Sequence, residues 1–275
     1  MSEQDRKAAN IAIGFSVFLF TIDLSIVNVG LPTIRTALQT DYSTVQWVVL
    51  SYLVVIASFL MGAARLGDLH DKKKLFLGGL AVFTFGSGLC AVAPTIELLI
   101  AARALQGLGA VFVSALGMAI VTAISPPEER GRNLGIVGGI IAIGVALGPT
   151  IGGVLLEYFA WPSIFLVNLP IGVGAGLAIW KKLPNLEPKG SSAPFDWPAL
   201  AGLAVILTSF SMAVNAIQRN GFENPLTLGG LLLCLVLLPL VVRRERRLGK
   251  PSSTPTCSTP LPSGWDWCWL PRCSW

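Results

Sequence analysis

The 275-residue chain carries too few charges for a water-soluble domain. Asp, Glu, Lys and Arg make up 13% of its residues, against about 25% in soluble proteins, and its mean hydropathy is +0.69. The net charge of +5 does not indicate nucleic-acid binding, because the basic residues stand in short clusters between apolar runs and not on one face. The composition predicts an all-α membrane protein whose partner is the lipid bilayer.

Eight apolar runs are long enough to cross a bilayer core of ~30 Å, which needs about 20 residues per helix. They cover residues 8–31, 47–64, 75–93, 96–124, 133–156, 164–180, 197–218 and 226–242. The first run contains Asp23 and lacks a signal-peptide cleavage pattern, so we expect it to remain as the first helix.

Lysine and arginine residues are concentrated in every second connection between these runs. One set of segments holds Arg6, Lys7, Arg65, Lys72 to Lys74, Arg130, Arg132, Lys181, Lys182, Lys189 and the basic cluster at 243–250. The opposite loops hold only Arg35 and Arg219. By the positive-inside rule, the chain is predicted to be a multi-pass protein of the plasma membrane, the bacterial inner membrane, with both termini in the cytoplasm.

Two polar stretches predict the domain organisation. Residues 184–196 are rich in Pro, Gly and Ser, which is typical of a cytoplasmic linker between a six-helix bundle (1–183) and two further helices (197–242). Residues 243–275 begin with a basic cluster and continue without periodicity, so this tail is predicted to be disordered or aberrant. Its cysteines do not have the spacing of a zinc site, and no metal or cofactor is expected.

Asp23 and Arg103 lie within apolar runs, where a charged side chain costs about 2.5–3.5 kcal/mol on insertion scales. Asp23 is therefore expected to face the protein interior or a watery cavity, either as a proton carrier or as a neutral acid bonded to a neighbouring helix. Arg103, followed by Gln106, either extends towards a membrane face or is a fixed cation beside a titrating acid. Asn28 could bond another helix or contact substrate.

The fifth run contains glycines at intervals of four residues. They are Gly144, Gly148 and Gly152, and likewise Gly135 and Gly139. This spacing predicts close contact with another helix, and Pro149 favours a kink. A nucleotide-binding loop is a poor interpretation of these glycines, because no polar strand–turn–helix context surrounds them.

The segment ARLGDLHDKKK after the second run is the most highly charged short connection. Its lysines anchor the cytoplasmic side, but that role does not explain Asp68. Asp68 is predicted to pair with Arg65 or with the N-terminal end of a facing helix. The single histidine, His70, is expected to be a surface residue.

These segments resemble the major facilitator superfamily, and in particular its fourteen-helix proton/drug antiporter branch. IDLSIVNVGLP is similar to L-D-x-T-I-V-N-V-A-L-P through Asp23, Asn28 and Pro32, and the charged segment to G-R-L-G-D-R-x-G-R-R-x through Arg65, Leu66, Gly67, Asp68, Lys72 and Lys73. Ala64, Leu69 and Asp71 depart from the second pattern. The fourth run matches R-x-x-Q-G-x-G-A through Arg103, Gln106, Gly107, Gly109 and Ala110. The fifth run matches G-x-x-x-G-P-x-x-G-G through Gly144, Gly148, Pro149, Gly152 and Gly153. The segment WPSIFLVNLPIG, which leads into the sixth run, is similar to W-R-W-I-F-x-I-N-x-P-I-G through Trp161, Phe165, Asn168, Pro170 and Gly172, with Pro162 in place of Arg.

The resemblance implies proton-coupled export of hydrophobic or cationic drugs and similar small molecules. Asp23, Asn28, Arg103 and Gln106 would then serve proton coupling and substrate response, the Arg65–Lys73 segment would gate, and the glycine helix would support rocking. The first six helices would form two inverted three-helix repeats, and the next two would be the branch's extra pair.

Transporters of this family place substrate between two six-helix bundles, and no further apolar run follows RRERRLGKP. The sequence therefore suggests truncation after the eighth helix, with a missing C-terminal half or a second copy as partner. The alternative is a non-transporting membrane fragment or partner subunit. An enzyme is not expected, because one histidine and no nucleophile–base pair are present.

Overall fold

The computed structural model describes residues 3–186, 197–220, 229–230, 232–237 and 239. Over these residues the secondary structure is helical with short connections and includes no β-strand. Six of the described helical segments are long and apolar enough to cross a membrane. The prediction of an all-α membrane protein is therefore confirmed.

The helices follow the chain in simple order. They are α1 (Glu3–Ala37), α2 (Tyr42–Val45), α3 (Trp47–Leu69), α4 (Lys72–Ala91), α5 (Ile96–Ile124), α6 (Arg130–Tyr158), α7 (Ser163–Leu166), α8 (Asn168–Lys182) and α9 (Trp197–Asn220). A 3-10 turn, Pro127–Glu129, precedes α6. The short α2 and α7 continue into α3 and α8, so each of these pairs forms one span.

The predicted runs agree with these helices to within a few residues. The fourth run coincides with α5, while α1 and α3 extend five or six residues beyond their apolar parts into charged sequence. The seventh run corresponds to α9. Of the eighth, only 229–230, 232–237 and 239 are described, and these are helical. The predicted linker beyond 186 and the tail at 243–275 lie outside the described residues.

The sixth run differs most from expectation, because it is divided between α7 and α8 at Val167. Pro170 has no backbone N–H and therefore cannot donate to the carbonyl of Leu166, four residues earlier. The interruption of the helix ladder at this point follows directly from the missing donor.

One end of the bundle gathers the charged ends of four segments, and we call it the charged end. Lys182 Nζ lies 2.7 Å from Asp5 Oδ1, which joins the end of α8 to the start of α1. Arg6 pairs with Glu129 at 3.1 Å, which joins α1 to the turn before α6. Asp71 accepts a hydrogen bond from the backbone N–H of Leu186 at 3.1 Å, which joins the α3–α4 connection to the same end.

Helix contacts in the bundle follow a two-fold pattern. α1 packs on α6 as α5 packs on α3, and α4 packs on α5 as α8 packs on α1. If α1, α3 and α4 exchange places with α5, α6 and α8, in that order, each of these contacts becomes the other one of its pair. The α4–α8 contact becomes itself. This is the contact pattern of two three-helix repeats related by a pseudo-two-fold axis.

Glycines allow α4 and α5 to touch through their backbones. A Cβ atom on Gly109 would lie 2.3 Å from the backbone nitrogen of Phe83, and one on Gly86 would lie 2.8 Å from the Cα atom of Gln106. No larger residue fits at Gly109 without moving one helix, since real Cβ atoms do not approach backbone atoms this closely.

The buried core forms two apolar layers with a mixed layer between them. The layer near the charged end includes Ile13, Phe76, Leu116, Ile120 and Ile179, and the layer at the other end includes Ile26, Ile34, Val48, Leu99 and Phe165. Between them lie Leu19, Tyr52, Phe83 and Ala110. The middle layer also contains the polar residues described next.

Candidate functional site

Five polar side chains from four helices meet in the interior of the bundle, and we call them the buried polar cluster. They are Asp23 of α1, Ser87 of α4, Arg103 and Gln106 of α5, and Asn168 of α8. Each has 0% exposure. They lie inside otherwise apolar spans, where burial of polar groups requires mutual hydrogen bonding.

An ion pair between Asp23 and Arg103 forms the centre of the cluster. Arg103 Nη1 donates to Asp23 Oδ2 at 2.7 Å and to Gln106 Oε1 at 2.6 Å. Arg103 Nε donates to the carbonyl of Val48 at 3.0 Å, and the guanidinium lies 4.1 Å from the centre of the Tyr52 ring. The interpretation of Arg103 as a side chain that extends to a membrane face is therefore wrong, since it is a fully buried cation beside an acid.

The second oxygen of Asp23 is held by two amides. Asn168 Nδ2 donates to Oδ1 at 2.7 Å, and Gln106 Nε2 donates to it at 3.1 Å. Ser87 Oγ accepts from both amides, at 2.6 Å from Gln106 and at 3.3 Å from Asn168. Asp23 thus faces the protein interior, one of the two surroundings expected for it, and its carboxylate accepts three hydrogen bonds.

Sequence reasoning gave no site role to Ser87 or Asn168. Asn168 did carry a signal, because it is an amide in an apolar run and belongs to the WPSIFLVNLPIG match. Ser87 carried none, since serine is small and common in membrane helices and often bonds its own backbone.

Three polar atoms of this region lack a hydrogen-bonding partner among the described residues. They are Arg103 Nη2, Tyr52 Oη and Asn168 Oδ1. An unsatisfied buried polar group costs about 1–3 kcal/mol. These atoms lie beside the buried acid, so the arrangement can exchange hydrogen bonds around Asp23 without exposing it to lipid.

Asn28 does not join the cluster. It is exposed, and its side-chain amide donates to the carbonyl of Leu24 in the same helix at 2.9 Å. The interpretation of Asn28 as a link to another helix is therefore wrong in this structure. A contact between Asn28 and substrate stays a prediction.

The predicted gating residues lie at the charged end and mostly in helices. Arg65, Gly67 and Asp68 belong to the last two turns of α3, and Lys72 and Lys73 begin α4. The ammonium group of Lys72 donates to the Gly67 carbonyl at 2.6 Å and pairs with Asp68 at 3.2 Å. Asp68 therefore has an ion-pair partner, Lys72, that the sequence did not predict.

One departure from the family pattern of the charged segment, Asp71, is explained locally. Asp71 caps α4, because its side chain accepts from the backbone N–H of Lys73 at 2.9 Å. Lys73 itself donates from Nζ to the Leu183 carbonyl beyond α8. An acidic residue in place of glycine thus stabilises the start of α4.

The glycine helix α6 packs on α1 along one side. Cβ atoms on Gly144, Gly148 and Gly152 would lie 3.2, 2.1 and 3.3 Å from atoms of α1, whereas Gly153 meets nothing within 4 Å. The predicted close contact is confirmed for the first three. It is wrong for Gly135 and Gly139, which likewise face open space.

Pro149 lies within α6, which continues from Arg130 to Tyr158. Its ring leaves the carbonyl of Val145 without a helical donor. The hydroxyl of Ser25 on α1 donates to this carbonyl at 3.1 Å, beside Gly148. A hydrogen bond between helices therefore replaces the bond that the proline removes.

The fold and the cluster together define a multi-pass helical membrane protein with a buried ion pair in its interior. Residues 13–255 match the family model described as Major Facilitator Superfamily, and the chain belongs to this family. A solved structure of similar fold is the peptide transporter POT (E310Q mutant) in complex with sulfate, with a TM-score of 0.63 and 15% identity over 86% of this chain and 51% of that one.

Curated relatives include transporters named for drugs and for a vitamin. "Multidrug resistance protein Stp" of Mycobacterium tuberculosis (strain ATCC 25618 / H37Rv) is 44% identical over 88% of this chain and 45% of its own length. "Riboflavin transporter RibZ" of Clostridioides difficile (strain 630) is 35% identical over 86% and 51%. "Putative multidrug resistance protein MdtD" of Yersinia pestis (strain Pestoides F) is 35% identical over 82% and 48%. The chain spans about half the length of these relatives.

Proposed function

We propose that this chain forms the first half of a proton-coupled exporter of hydrophobic or cationic small molecules. The Asp23–Arg103 ion pair, at 2.7 Å and with both side chains fully buried, carries this proposal. Charged residues within membrane spans are costly and are typical of proton and substrate pathways. The names of the multidrug relatives agree with such a substrate class.

The pair offers a physical route to exchange a proton for a cation. A proton on Asp23 would neutralise the acid and leave the Arg103 charge without its partner in the interior. Unpaired positive charge repels a cationic substrate and favours its departure, whereas loss of the proton restores the pair. The glycine contact between α6 and α1 leaves few side-chain obstacles to movement between these helices.

Transport in this class needs two bundles that move against one another. The chain would therefore work with a second six-helix half, supplied by further sequence or by a second copy. The alternative is that the chain is a non-transporting membrane fragment or partner subunit, an idea that its half-length match to the relatives keeps open.

A fusion tests the function directly. Residues 1–250 are joined to the second half of the 44% identical Mycobacterium tuberculosis relative, and efflux of ethidium and of riboflavin is measured in cells with and without a collapsed proton gradient. We expect proton-dependent efflux of at least one of the two compounds. Asp23→Asn should lower the efflux rate at least tenfold, which is less than the roughly 10²–10⁴-fold that a positioned acid or base typically contributes to a rate.

The matched control is Glu97→Gln, the same change of carboxylate to amide on an exposed residue of α5, which should leave efflux unchanged. Unchanged proton-dependent efflux in Asp23→Asn would remove Asp23 from the mechanism. Absence of efflux in the unmodified fusion would favour the non-transporting alternative.

The charged end is the cytoplasmic side in this proposal. Lys72, Lys73, Arg130 and Lys182 lie near it, and basic residues remain on the cytoplasmic side of membrane proteins. In inside-out vesicles, a membrane-impermeant maleimide should label Glu128→Cys and not Gln39→Cys, both made with the native cysteines replaced by serine. The reverse labelling would invert the orientation.

A further inference from the structure

Asn168 occupies an unusual position for a hydrogen-bond donor to Asp23. It is the first residue of α8, next to Val167, where the span is interrupted because Pro170 cannot donate to the Leu166 carbonyl. Its side chain nevertheless reaches across the bundle to Oδ1 of Asp23 at 2.7 Å. The interruption between α7 and α8 is therefore connected through one hydrogen bond to Asp23 of α1.

The two oxygens of Asp23 are not equally available to a proton. A carboxylate oxygen has two lone pairs, and both of those on Oδ1 face donors, from Asn168 and Gln106. Oδ2 receives one donor, the guanidinium of Arg103. A proton can thus be added only beside a fixed positive charge, or at Oδ1 after one amide has left.

Of the two amides, Asn168 is the one that can leave by movement of a helix. Gln106 is on α5, the same helix as Arg103, and accepts a hydrogen bond from Arg103 at 2.6 Å. A movement of α5 would therefore carry Gln106 and Arg103 together. Asn168 is tied to the cluster only through its Nδ2 group, which faces Asp23 and Ser87, while its Oδ1 atom has no partner among the described residues.

We propose that Asn168 is a positioning residue that controls protonation of Asp23, with Ser87 orienting its amide. While Asn168 donates, Oδ1 is closed to protons, and tilting of α8 at the Val167 joint opens it. Protonation is thereby tied to the position of the sixth span. This inference rests on the proposed function only for its use in transport, since control of protonation is a property of the chain itself.

Within the described part of the chain, the groups near Asp23 that titrate are Arg103 on α5, Tyr52 on α3 and Cys90 on α4. The adjoining part of α6 presents glycine, and α8 presents the uncharged Asn168. A change of the Asn168 donor therefore acts on Asp23 without altering another charge.

Infrared titration of the purified full chain tests the proposal. The carbonyl stretch of a protonated carboxylic acid is followed across pH and assigned to Asp23 by its loss in Asp23→Asn. Removal of a donor to the carboxylate favours the protonated form, so Asn168→Ala should move the midpoint upwards by about one pH unit or more. Ser87→Ala, a smaller change, should move it in the same direction by less.

Asn133→Ala is the matched control, because it breaks another Asn–Ser hydrogen bond, 2.8 Å long to Ser125 at the charged end. Its midpoint should equal that of the native chain. The proposal is overturned if Asn168→Ala titrates as the native chain does, or if Asn133→Ala shifts the midpoint as far as Asn168→Ala does. Circular dichroism confirms that each variant is helical before titration. Absence of efflux from the unmodified fusion would instead count against the transport function and leave these midpoints unaffected.

Discussion

The Asp23–Arg103 pair must be judged by what each residue costs alone. Taking two charges out of water is expensive, and a buried pair often adds little net stability compared with apolar residues. Loss of one partner is far worse, because it leaves an uncompensated charge in the interior. The Asp23–Arg103 contact is therefore best explained as a requirement of each residue for the other.

A double-mutant cycle measures this dependence. Asp23→Asn and Arg103→Gln should each lower the free energy of unfolding by about 3–5 kcal/mol, because each leaves a charge without its partner. The double variant should lose less than the sum, with a coupling of about 1–3 kcal/mol. Denaturant titration of the purified chain in mild detergent supplies the four values, and strict additivity would show that the two residues are not coupled.

Three of the five members of the buried polar cluster could be predicted from the sequence. Asp23 and Arg103 stood out because ionisable residues within apolar spans are rare and expensive, and Gln106 followed Arg103 by one helical turn. Ser87 and Asn168 could not be assigned, since their roles depend on which helices meet in the interior. The partner of Asp68 was missed for a simpler reason: Lys72 lies four residues further on, and the helices on either side of His70 and Asp71 bring it close.

At the scale of elements, glycine decides how α4 and α5 fit together. A Cβ atom on Gly79 would lie 2.4 Å from Cβ of Phe112 and 2.9 Å from the carbonyl oxygen of Gly109. The neighbouring Gly78 is exposed and would meet nothing within 4 Å. Close packing therefore requires the absence of a side chain at Gly79 but leaves room for one at Gly78.

Gly79→Ala should therefore destabilise the bundle by about 1–3 kcal/mol through overpacking. Gly78→Ala should be neutral or stabilising by up to about 1 kcal/mol, because alanine favours helix more than glycine does. Thermal unfolding of the two variants in the same detergent gives the comparison. Equal effects at the two positions would contradict the close α4–α5 contact.

Helix boundaries were predictable where local signals were strong. Thr95 caps α5 by accepting from the backbone N–H of Leu98, and Pro126 follows the helix after Ser125, so the predicted and observed bounds agree. The division between α7 and α8 was missed, because hydropathy does not register a lost backbone donor. The glycine pattern of α6 showed which spacing suits close packing but not which glycines face α1.

At the scale of the whole molecule, the contacts of α1 to α8 describe one complete bundle. Its two-fold pattern agrees with the family match over residues 13–255 and with the fold likeness at a TM-score of 0.63, which covers 86% of this chain and 51% of the solved one. Among the described spans, the least buried is Pro127–Tyr158, with 17% of its most apolar stretch inside the bundle. Its exposed apolar face suits contact with lipid or with the second half of the proposed transporter.

Substrate-dependent proton movement in reconstituted vesicles tests most directly whether the buried acid couples transport. The fusion of residues 1–250 with the relative's second half is placed in vesicles containing a pH-sensitive dye, and an exported compound is added. The account predicts proton movement with the fusion and at least a tenfold smaller rate with Asp23→Asn. Proton movement of equal rate in the fusion that carries Asp23→Asn would contradict it.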